Sequence, residues 1–177
     1  MRDKCILPFL ITERLEFFQL TQADLPELEI LLGDTEIMYA WEHGFTKIES
    51  QAWLNENLRR YSSDGYSYWA VRKKNDGSLI GVMGILKEVA EGKQYIGIGY
   101  ILNKKYWGQG YAGEGTEALC QYAFRKLQLQ TLTAQVRTNN FASQHIAEGL
   151  GMKAMCNFVK IYRGQEMPHF LYTLSLR

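Results

Sequence analysis

The feature that most constrains this chain is a cluster of glycines in residues 104–115, KKYWGQGYAGEG, which hold four of its sixteen glycines. Glycine costs helix stability about 1 kcal/mol relative to alanine, so bare backbone here must serve a sharp turn, close packing or a ligand against the main chain. The stretch follows a predicted strand and opens a predicted helix, where unpaired N–H groups and the helix dipole favour a negative group. Two interpretations stay open: an anion site, or a turn that lets the helix pack closely on the sheet.

Length and composition set broad limits. The 177 residues favour one domain spanning 1–177, and 46% apolar with 22% charged residues is typical of globular proteins. A net charge of +1 gives no general attraction to nucleic acid or to an anionic membrane, so we expect neither as a partner. The apolar runs fall far short of the roughly 20 residues of a membrane span, and the N-terminus lacks a signal-peptide pattern. The cytoplasm is therefore the expected location.

The cysteines and histidines predict no metal site. Their spacing matches neither a disulfide framework nor a zinc motif, so we expect reduced, mostly buried thiols and histidines with packing or surface roles. These residues are Cys5, Cys120, Cys156, His43, His145 and His169.

The first third of the chain predicts one strand and two helices. The run TERLEFFQL (12–20) is typical of a strand, and Thr21 can cap the helix QADLPELEILL that follows it. After the aromatic-rich connection YAWEHGF (39–45), SQAWLNENLRRY (50–61) has apolar residues at helical spacing.

The rest of the chain predicts six strands and two helices. Two β-like runs in 65–89 surround the turn Asn75-Asp76-Gly77, and a third run at 94–102 extends this antiparallel meander. The later segments are a helix at 113–127, a strand at 131–136, a helix at 140–151 that Gly151 closes, and strands at 159–162 and 169–176. The predicted order is β-α-α-β-β-β-α-β-α-β-β in one mixed α/β sheet.

The glycines also spell a weak dinucleotide fingerprint. Gly108, Gly110 and Gly113 fit G-x-G-x-x-G, but the five residues 103–107 separate the strand from the first glycine. No acidic residue lies between Glu117 and Glu148 to hold a ribose hydroxyl, and no Walker Gly-Lys-Ser/Thr follows. A nicotinamide-dependent dehydrogenase is therefore a minor alternative.

Three segments carry a resemblance to a known family. YWGQGYAGEG resembles the acyl-coenzyme A signature of the Gcn5-related N-acetyltransferase (GNAT) superfamily, Gln/Arg-x-x-Gly-x-Gly/Ala, and reads Trp107-x-x-Gly110-x-Ala112 here. Its Tyr-Trp-Gly run departs from the general pattern but is similar to the branch of ribosomal-protein N-terminal acetyltransferases. The segments NFASQHIAEGLGM (140–152) and ITERLEFFQLTQAD (11–24) resemble further motifs of that branch, so the resemblance spans nearly the whole chain.

The resemblance implies a fold and a cofactor. It implies a single GNAT domain with a largely antiparallel sheet of about seven strands, a splayed parallel pair at 94–102 and 131–136, and about four helices. Acetyl-coenzyme A would lie between the splayed strands with its pyrophosphate on the glycine loop. The cofactor-binding residues it implies are Ile101, Leu102, Trp107, Gly108, Gln109, Gly110, Tyr111, Ala112, Asn140 and Ser143. Lys104, Lys105 and Arg137 either add charge near the phosphates or form a solvated rim.

The resemblance also implies catalytic residues, with two departures. Ser143 is a candidate proton donor, and Asn140, one helical turn before it, would contact the cofactor or act as an ordinary N-cap. The family's usual tyrosine acid, seven residues after this asparagine, is Ala147 here, and its usual glutamate base is Gly97. Substitutes would come from a bound water or from Tyr100, Glu42, His43, Tyr162 and Glu166.

The acceptor side is less defined. Gly97 and Gly99 share one strand face, which leaves room for the thioester or the amine, or marks a bulge without a binding role. Tyr39, Trp41 and Glu42 are expected to bind the substrate, with Glu42 attracting a cation, although aromatic residues at this density, including Phe45 and Trp53, are also typical of a core.

These observations favour an N-acetyltransferase that moves an acetyl group from acetyl-coenzyme A to a primary amine by direct attack in a ternary complex. Without the usual base, an α-amine is favoured, because an α-amine with pKa near 8 is roughly a tenth neutral at pH 7 and a lysine-type amine only about once in 2,500. The acceptor would be a small molecule or a protein or peptide N-terminus, and the chain a monomer or homodimer. The alternative is a catalytically weak acyl-coenzyme A sensor or interaction module.

Overall fold

The computed structural model describes residues 7–176, and within them eight strands form one sheet in the spatial order β1-β2-β3-β4-β5-β6-β8-β7. The strands are β1 (Leu10–Ile11), β2 (Leu15–Gln19), β3 (Tyr68–Lys73), β4 (Leu79–Ala90), β5 (Lys93–Leu102), β6 (Thr131–Arg137), β7 (Lys153–Tyr162) and β8 (Gln165–Ser175). The α-helices are α1 (Leu25–Gly33), α2 (Lys47–Ser63), α3 (Tyr111–Arg125) and α4 (Phe141–Gly149).

The sheet opens between its two parallel strands. Strands β5 and β6 pair through Gly97 and Thr133 alone among the described residues, whereas the other neighbouring strands pair antiparallel. Beyond Gly97 the C-terminal half of β5 has no partner on its β6 side, so the two strands diverge and leave a gap in the sheet.

The sheet separates two apolar cores. Alternate side chains of β3 and β4 face opposite sides, as the two-residue period of a strand requires. On one side Trp69 and Met83 pack with Leu119 of α3, and on the other Val82 packs with Leu28 of α1. The helices α1 and α2 thus cover one face, while α3 covers the other.

Local signals in the sequence explain most element boundaries. The β3–β4 hairpin turns at Gly77 (φ +70°), where Asp76 accepts a hydrogen bond from the Ser78 amide at 3.0 Å. Helix α2 begins three residues earlier than its apolar spacing indicates because Thr46 and Glu49 form a capping box, with bonds of 2.8 and 3.2 Å between each side chain and the other's amide.

The last hairpin and one cysteine differ from what the sequence predicts. Strands β7 and β8 begin earlier than predicted, at Lys153 and Gln165 instead of 159 and 169. The start of β7 was missed because residues 153–157 are exposed on the edge strand and show no apolar alternation. Cys156 lies on this exposed edge, so the expectation of mostly buried thiols is wrong there, whereas Cys120 is buried in α3. Cys5 lies outside the described residues. Within the described part of the chain, none of the helices is long and apolar enough for a membrane crossing.

Candidate active site

The glycine stretch forms the turn from β5 into α3. Gly108 (φ +70°) and Gly110 (φ +80°) adopt left-handed backbone conformations that residues with a Cβ rarely adopt, and Gly110 is the N-cap of α3. The first backbone hydrogen bond of α3 runs from Glu114 N–H to the Gly110 carbonyl at 3.0 Å. The amides of residues 111–113 therefore lie ahead of the helical ladder, at the positive end of the helix dipole, and form a cradle suited to a phosphate.

A clamp from the start of β2 holds this loop in place. Arg14 donates to Glu114 Oε2 at 2.6 Å and to the Gln109 carbonyl at 2.9 Å, while its guanidinium lies 4.2 Å from the centre of the Tyr111 ring. The Thr12 hydroxyl also donates to Glu114, at 2.6 Å. Sequence reasoning treated the Thr-x-Arg segment only as part of a family pattern and missed this role.

The loop borders a cavity of about 710 Å³, here called the loop cavity, which is large enough for an extended cofactor. Its lining includes every cofactor-binding residue that the sequence predicted except Gln109, together with Tyr39 and Trp41. The predicted cofactor residues on its wall are Ile101, Leu102, Trp107, Gly108, Gly110, Tyr111, Ala112, Asn140 and Ser143. The catalytic candidate Tyr100 also lines this cavity.

A second cavity of about 240 Å³, here called the sheet cavity, lies where β5 and β6 diverge. Tyr68, Glu88 and Gly99 line it from the α1–α2 face, and Lys160 and Tyr162 line it from β7. The two cavities share lining residues and so adjoin each other. The shared residues are Ala40, Trp41, Tyr100, Asn140, Ser143, Ile146 and Leu150.

The predicted catalytic residues meet at this junction. Tyr100 Oη donates to Ser143 Oγ at 2.8 Å, and the Asn140 side chain accepts a bond from the Ser143 amide at 3.0 Å. Asn140 is thus an N-cap and a cavity residue at once. Burial raises the pKa of Tyr100 to about 12, so its hydroxyl keeps its proton at neutral pH. Burial likewise raises the pKa of Tyr39, although a hydrogen bond from Asn140 acts to lower it.

Two of the predicted charges, Glu42 and Arg137, lie in other places than expected, whereas Lys104 and Lys105 match one of the two alternatives. Glu42 lines neither cavity, because its carboxylate accepts a 2.7 Å bond from the buried Arg137, which does line the sheet cavity. Lys104 pairs with the exposed Glu36, and Lys105 lies 4.8 Å from the centre of the Tyr106 ring. Neither lysine lines the loop cavity, so the solvated rim describes them better than phosphate contact.

The face of β5 that bears Gly97 and Gly99 is filled by side chains of neighbouring strands. A Cβ at Gly99 would lie 2.6 Å from Tyr68 Oη, and a Cβ at Gly97 would overlap Glu88 Oε2. The expectation that both glycines leave open room for substrate is therefore corrected. Gly99 lines the sheet cavity, whereas the Glu88 carboxylate occupies the volume where a side chain at residue 97 would lie.

Glu88 and Lys160 form an electrostatic pair across the sheet cavity. Burial raises the pKa of Glu88, against the lowering effect of Lys160, and burial lowers the pKa of Lys160, against the raising effect of Glu88. Glu88 Oε2 is inaccessible to solvent and has no hydrogen-bond partner among the described residues. Sequence reasoning missed both groups, since they lie on β4 and β7, which are far apart in the sequence and are not neighbours in the sheet.

The other candidates for acid and base differ in position. Tyr162 lines the sheet cavity, but His43 lies 3.3 Å from Glu49 and Glu166 is exposed on β8. Phe45 and Trp53 pack against the α1–α2 core, as expected for ordinary core residues. No cluster of three metal-ligating side chains occurs within residues 7–176.

Fold and site together define an acyl-coenzyme A-dependent transferase, and comparison with known proteins identifies its family. Residues 14–153 match the family described as "Acetyltransferase (GNAT) domain". The chain therefore belongs to the GNAT acetyltransferase family, and it is an N-acetyltransferase that uses acetyl-coenzyme A as its acyl donor. The dehydrogenase alternative is wrong, because the largely antiparallel sheet is not a dinucleotide-binding fold.

One curated relative is similar in sequence, and two solved acetyltransferases share the fold. The chain is 30% identical to the uncharacterized protein YkkB of Bacillus subtilis (strain 168) over 164 residues, which cover 92% of this chain and 93% of YkkB. The acetyltransferase (GNAT family) from Bacillus anthracis superposes with a TM-score of 0.81 at 22% identity, over 94% of this chain and 97% of that one. RimL, a ribosomal L7/L12 alpha-N-protein acetyltransferase solved with coenzyme A, superposes with a TM-score of 0.78 at 17% identity, over 94% of this chain and 96% of RimL. The predicted mixed fold with a splayed parallel pair is confirmed, with eight strands in the described residues instead of about seven.

Proposed function

We propose that this enzyme acetylates the α-amino group of a protein N-terminus, a peptide or an amino acid by direct attack on acetyl-coenzyme A. The observation that carries the proposal is the junction of the two cavities at Tyr100 and Ser143. A thioester bound along the loop cavity would end where an amine in the sheet cavity begins. Both reactants can then be held at once, so the acetyl group need not pass through an acyl-enzyme.

Each part of the loop cavity suits one part of the donor. The amides of residues 111–113 would hold the diphosphate, and the left-handed Gly108 and Gly110 let the main chain approach it. The unpaired edge of β5 near Ile101 and Leu102 would offer a main-chain N–H to the developing oxyanion; the Leu102 amide faces this edge, because the Asn103 N–H bonds to Ile80 on β4 and N–H directions alternate along a strand. Ser143, hydrogen-bonded to Tyr100, would supply the proton to the leaving thiolate.

Two arguments favour an α-amine. An α-ammonium group has a pKa near 8 and a lysine side chain a pKa near 10.4. Removing a proton from the α-ammonium group therefore costs about 3 kcal/mol less free energy than removing one from lysine. The sheet cavity, at about 240 Å³, suits the end of a chain or a small molecule better than a folded surface. RimL, a structural neighbour, is named as an alpha-N-protein acetyltransferase, which agrees with this choice of acceptor.

Thiol release in the presence of acetyl-coenzyme A tests the proposal. The panel would contain tetrapeptides with a free N-terminus, the same tetrapeptides N-formylated and carrying one internal lysine, single amino acids and polyamines. We expect turnover of free α-amines and at most one tenth of that rate for the formylated lysine peptides. Preference for the lysine peptides or polyamines would contradict the α-amine, and calorimetric binding of acetyl-coenzyme A without thiol release from any amine would support the sensor alternative.

A further inference from the structure

The sheet cavity contains one acidic side chain. Among the described residues that line it, Glu88 is the only carboxylate, and the other ionisable groups are tyrosines, cations and a histidine. Those groups are Tyr68, Tyr100, Tyr162, Lys160, Arg137 and His169. Since an acceptor amine enters as an ammonium ion at neutral pH, Glu88 is the group in this cavity that combines a negative charge with the capacity to accept a proton.

The backbone positions Glu88 beside the central strand. Glu88 lies opposite Tyr95 in the β4–β5 register, so its side chain projects on the same face as Gly97, diagonally across the pair. The missing side chain of Gly97 leaves the volume that the carboxylate occupies. Any other residue at 97 would displace it, which gives a physical reason for glycine at this place in the strand.

One oxygen of this carboxylate is left without a partner. Glu88 Oε2 is buried and accepts no hydrogen bond in the described part of the chain, although Gln135 and Lys160 line the same cavity. A buried carboxylate oxygen without a donor costs stability, and a residue with a purely structural role would be expected to satisfy it. An incoming ammonium group, or a water that it displaces, supplies the missing donor.

We propose that Glu88 is the general base of this enzyme and takes the proton from the acceptor ammonium group, directly or through one water. The proposal rests on the proposed function and assigns the step for which the sequence offered no residue at the usual position.

The proton balance follows from this assignment. One ammonium proton passes to Glu88, and the nitrogen lone pair of the resulting amine forms the C–N bond with the thioester carbonyl carbon. The C–S bond breaks with its electron pair going to sulfur, and the second N–H proton reaches that thiolate through Ser143 and Tyr100. Glu88 then releases its proton to solvent, so the products are the N-acetyl amide, free coenzyme A and one proton.

Burial shifts the pKa of Glu88 in the direction that this role requires. Burial raises its pKa, while Lys160 and Arg60 lower it, and the net direction is upward. The phenol of Tyr68, whose pKa burial also raises, stays neutral beside it. Arg137 and His169 line the same cavity as further positive or titratable groups. A carboxylate with an elevated pKa holds a transferred proton better than an ordinary one.

Glu88→Gln tests the role because it keeps the shape and removes the base. With the full chain, acetyl-coenzyme A and tetrapeptides beginning with serine, alanine or leucine, we expect kcat/KM at pH 7 to fall on the order of 10²-fold. The loss should shrink between pH 7 and 10, because the amine, with pKa near 8, loses its proton to solvent unaided. An equal loss at every pH, or activity within about threefold of wild type at pH 7, would overturn the assignment. Glu13→Gln, an exposed glutamate, is the matched control.

Two further variants separate catalysis from folding. Gly97→Ala should displace the carboxylate and reproduce the pH profile of Glu88→Gln, whereas Gly33→Ala, whose Cβ would make only an ordinary 3.5 Å contact, should not. Lys160→Met should move the acidic limb of the kcat/KM profile to higher pH. In the wild type Lys160 lowers the pKa of Glu88, so removing this cation lets that pKa rise. An unshifted limb, or one moved to lower pH, would count against Glu88.

The failure of this inference is distinguishable from that of the proposed function. Wild-type protein that releases thiol with α-amines, together with an unimpaired Glu88→Gln variant, contradicts the base alone. Wild-type protein that binds acetyl-coenzyme A and acetylates none of the tetrapeptides contradicts the proposed function and the base with it. A Glu88→Gln variant that no longer binds acetyl-coenzyme A in calorimetry would assign Glu88 a structural role and overturn the inference.

Discussion

The Tyr100 hydroxyl donates a 2.8 Å hydrogen bond to Ser143 Oγ and so joins the central strand β5 to the first turn of α4. The bond lies where the loop cavity meets the sheet cavity. Because the phenol is buried and keeps its proton, in the proposed reaction the two hydroxyls would form a short path by which a proton reaches the leaving sulfur.

Ser143→Ala is expected to lower kcat on the order of 10²-fold while changing the KM for acetyl-coenzyme A less than about threefold, since it removes a proton donor and little binding surface. Tyr100→Phe should lower kcat as well, and the double variant should be little worse than either single one, because both act in one pair. Steady-state kinetics with Ser62→Ala, an exposed serine of α2, as control would check this. Unchanged rates in Ser143→Ala would point to a water as the donor.

Gly110→Val should weaken acetyl-coenzyme A binding at least about tenfold by calorimetry. Valine at φ +80° is strained by about 1–3 kcal/mol, and its branched side chain would stand beside the main chain proposed to hold the diphosphate, although its Cβ would make only an ordinary 3.4 Å contact with Arg14. The matched control is Gly77→Val in the β3–β4 hairpin, with φ +70° and open space around its Cβ. Both variants should lose similar stability, but only the first should lose affinity. Equal affinities in folded variants would contradict the phosphate cradle.

Arg14→Ala should raise the KM for acetyl-coenzyme A about three- to tenfold with little change in kcat, because the loop loses the side chain that ties Glu114 to the Gln109 carbonyl. We expect only this modest rise in KM because Arg14 is partly exposed, and ion pairs in contact with solvent contribute little free energy. Arg14→Lys should restore only part of it, as a lysine lacks the guanidinium fork that reaches both partners. Arg59→Ala, which removes an exposed pair with Glu56 on α2, serves as the control and should leave KM unaltered.

His169 should make stability sensitive to mild acid. Burial lowers its pKa, with Lys160 and Arg137 adding to this effect against the Met167 carbonyl, so the unfolded chain takes up a proton more readily than the folded one. Stability is then complete above the ordinary pKa of 6.5 and falls as the pH drops below it. The fall in Tm between pH 7.5 and 5.5 should be smaller in His169→Gln than in wild type. An exposed histidine, His145, gives the control substitution His145→Gln, and equal slopes in all three proteins would refute the effect.

Sequence reasoning succeeded where the signal is local. The Asn75-Asp76-Gly77 turn, the capping residue Asn140 and the glycines before α3 each act on the backbone within a few residues, and the structure has the expected elements at each place. Ser143 followed from the family resemblance, and Tyr100 was one of the substitutes for the missing acid and base; the structure brings their hydroxyls into contact.

It failed where a contact depends on strand register or on distant segments. Glu88 reaches Gly97 only because of the exact pairing of β4 with β5, which periodicity along one strand does not specify. Arg14 and Glu114 are a hundred positions apart, and no local pattern links them. Glu42 looks like a free acid in the sequence, but the fold places Arg137 against it.

The divergence of β5 from β6 has a kinetic consequence. The glycine loop borders one cavity and β7 lines the other, so under the proposed function neither reactant would have to leave before its counterpart enters. Initial-velocity plots at several fixed concentrations of the second reactant should therefore give lines that intersect, not parallel ones. In the proposed mechanism, a missing run of ladder hydrogen bonds in the middle of a sheet would thus determine the rate law of the enzyme.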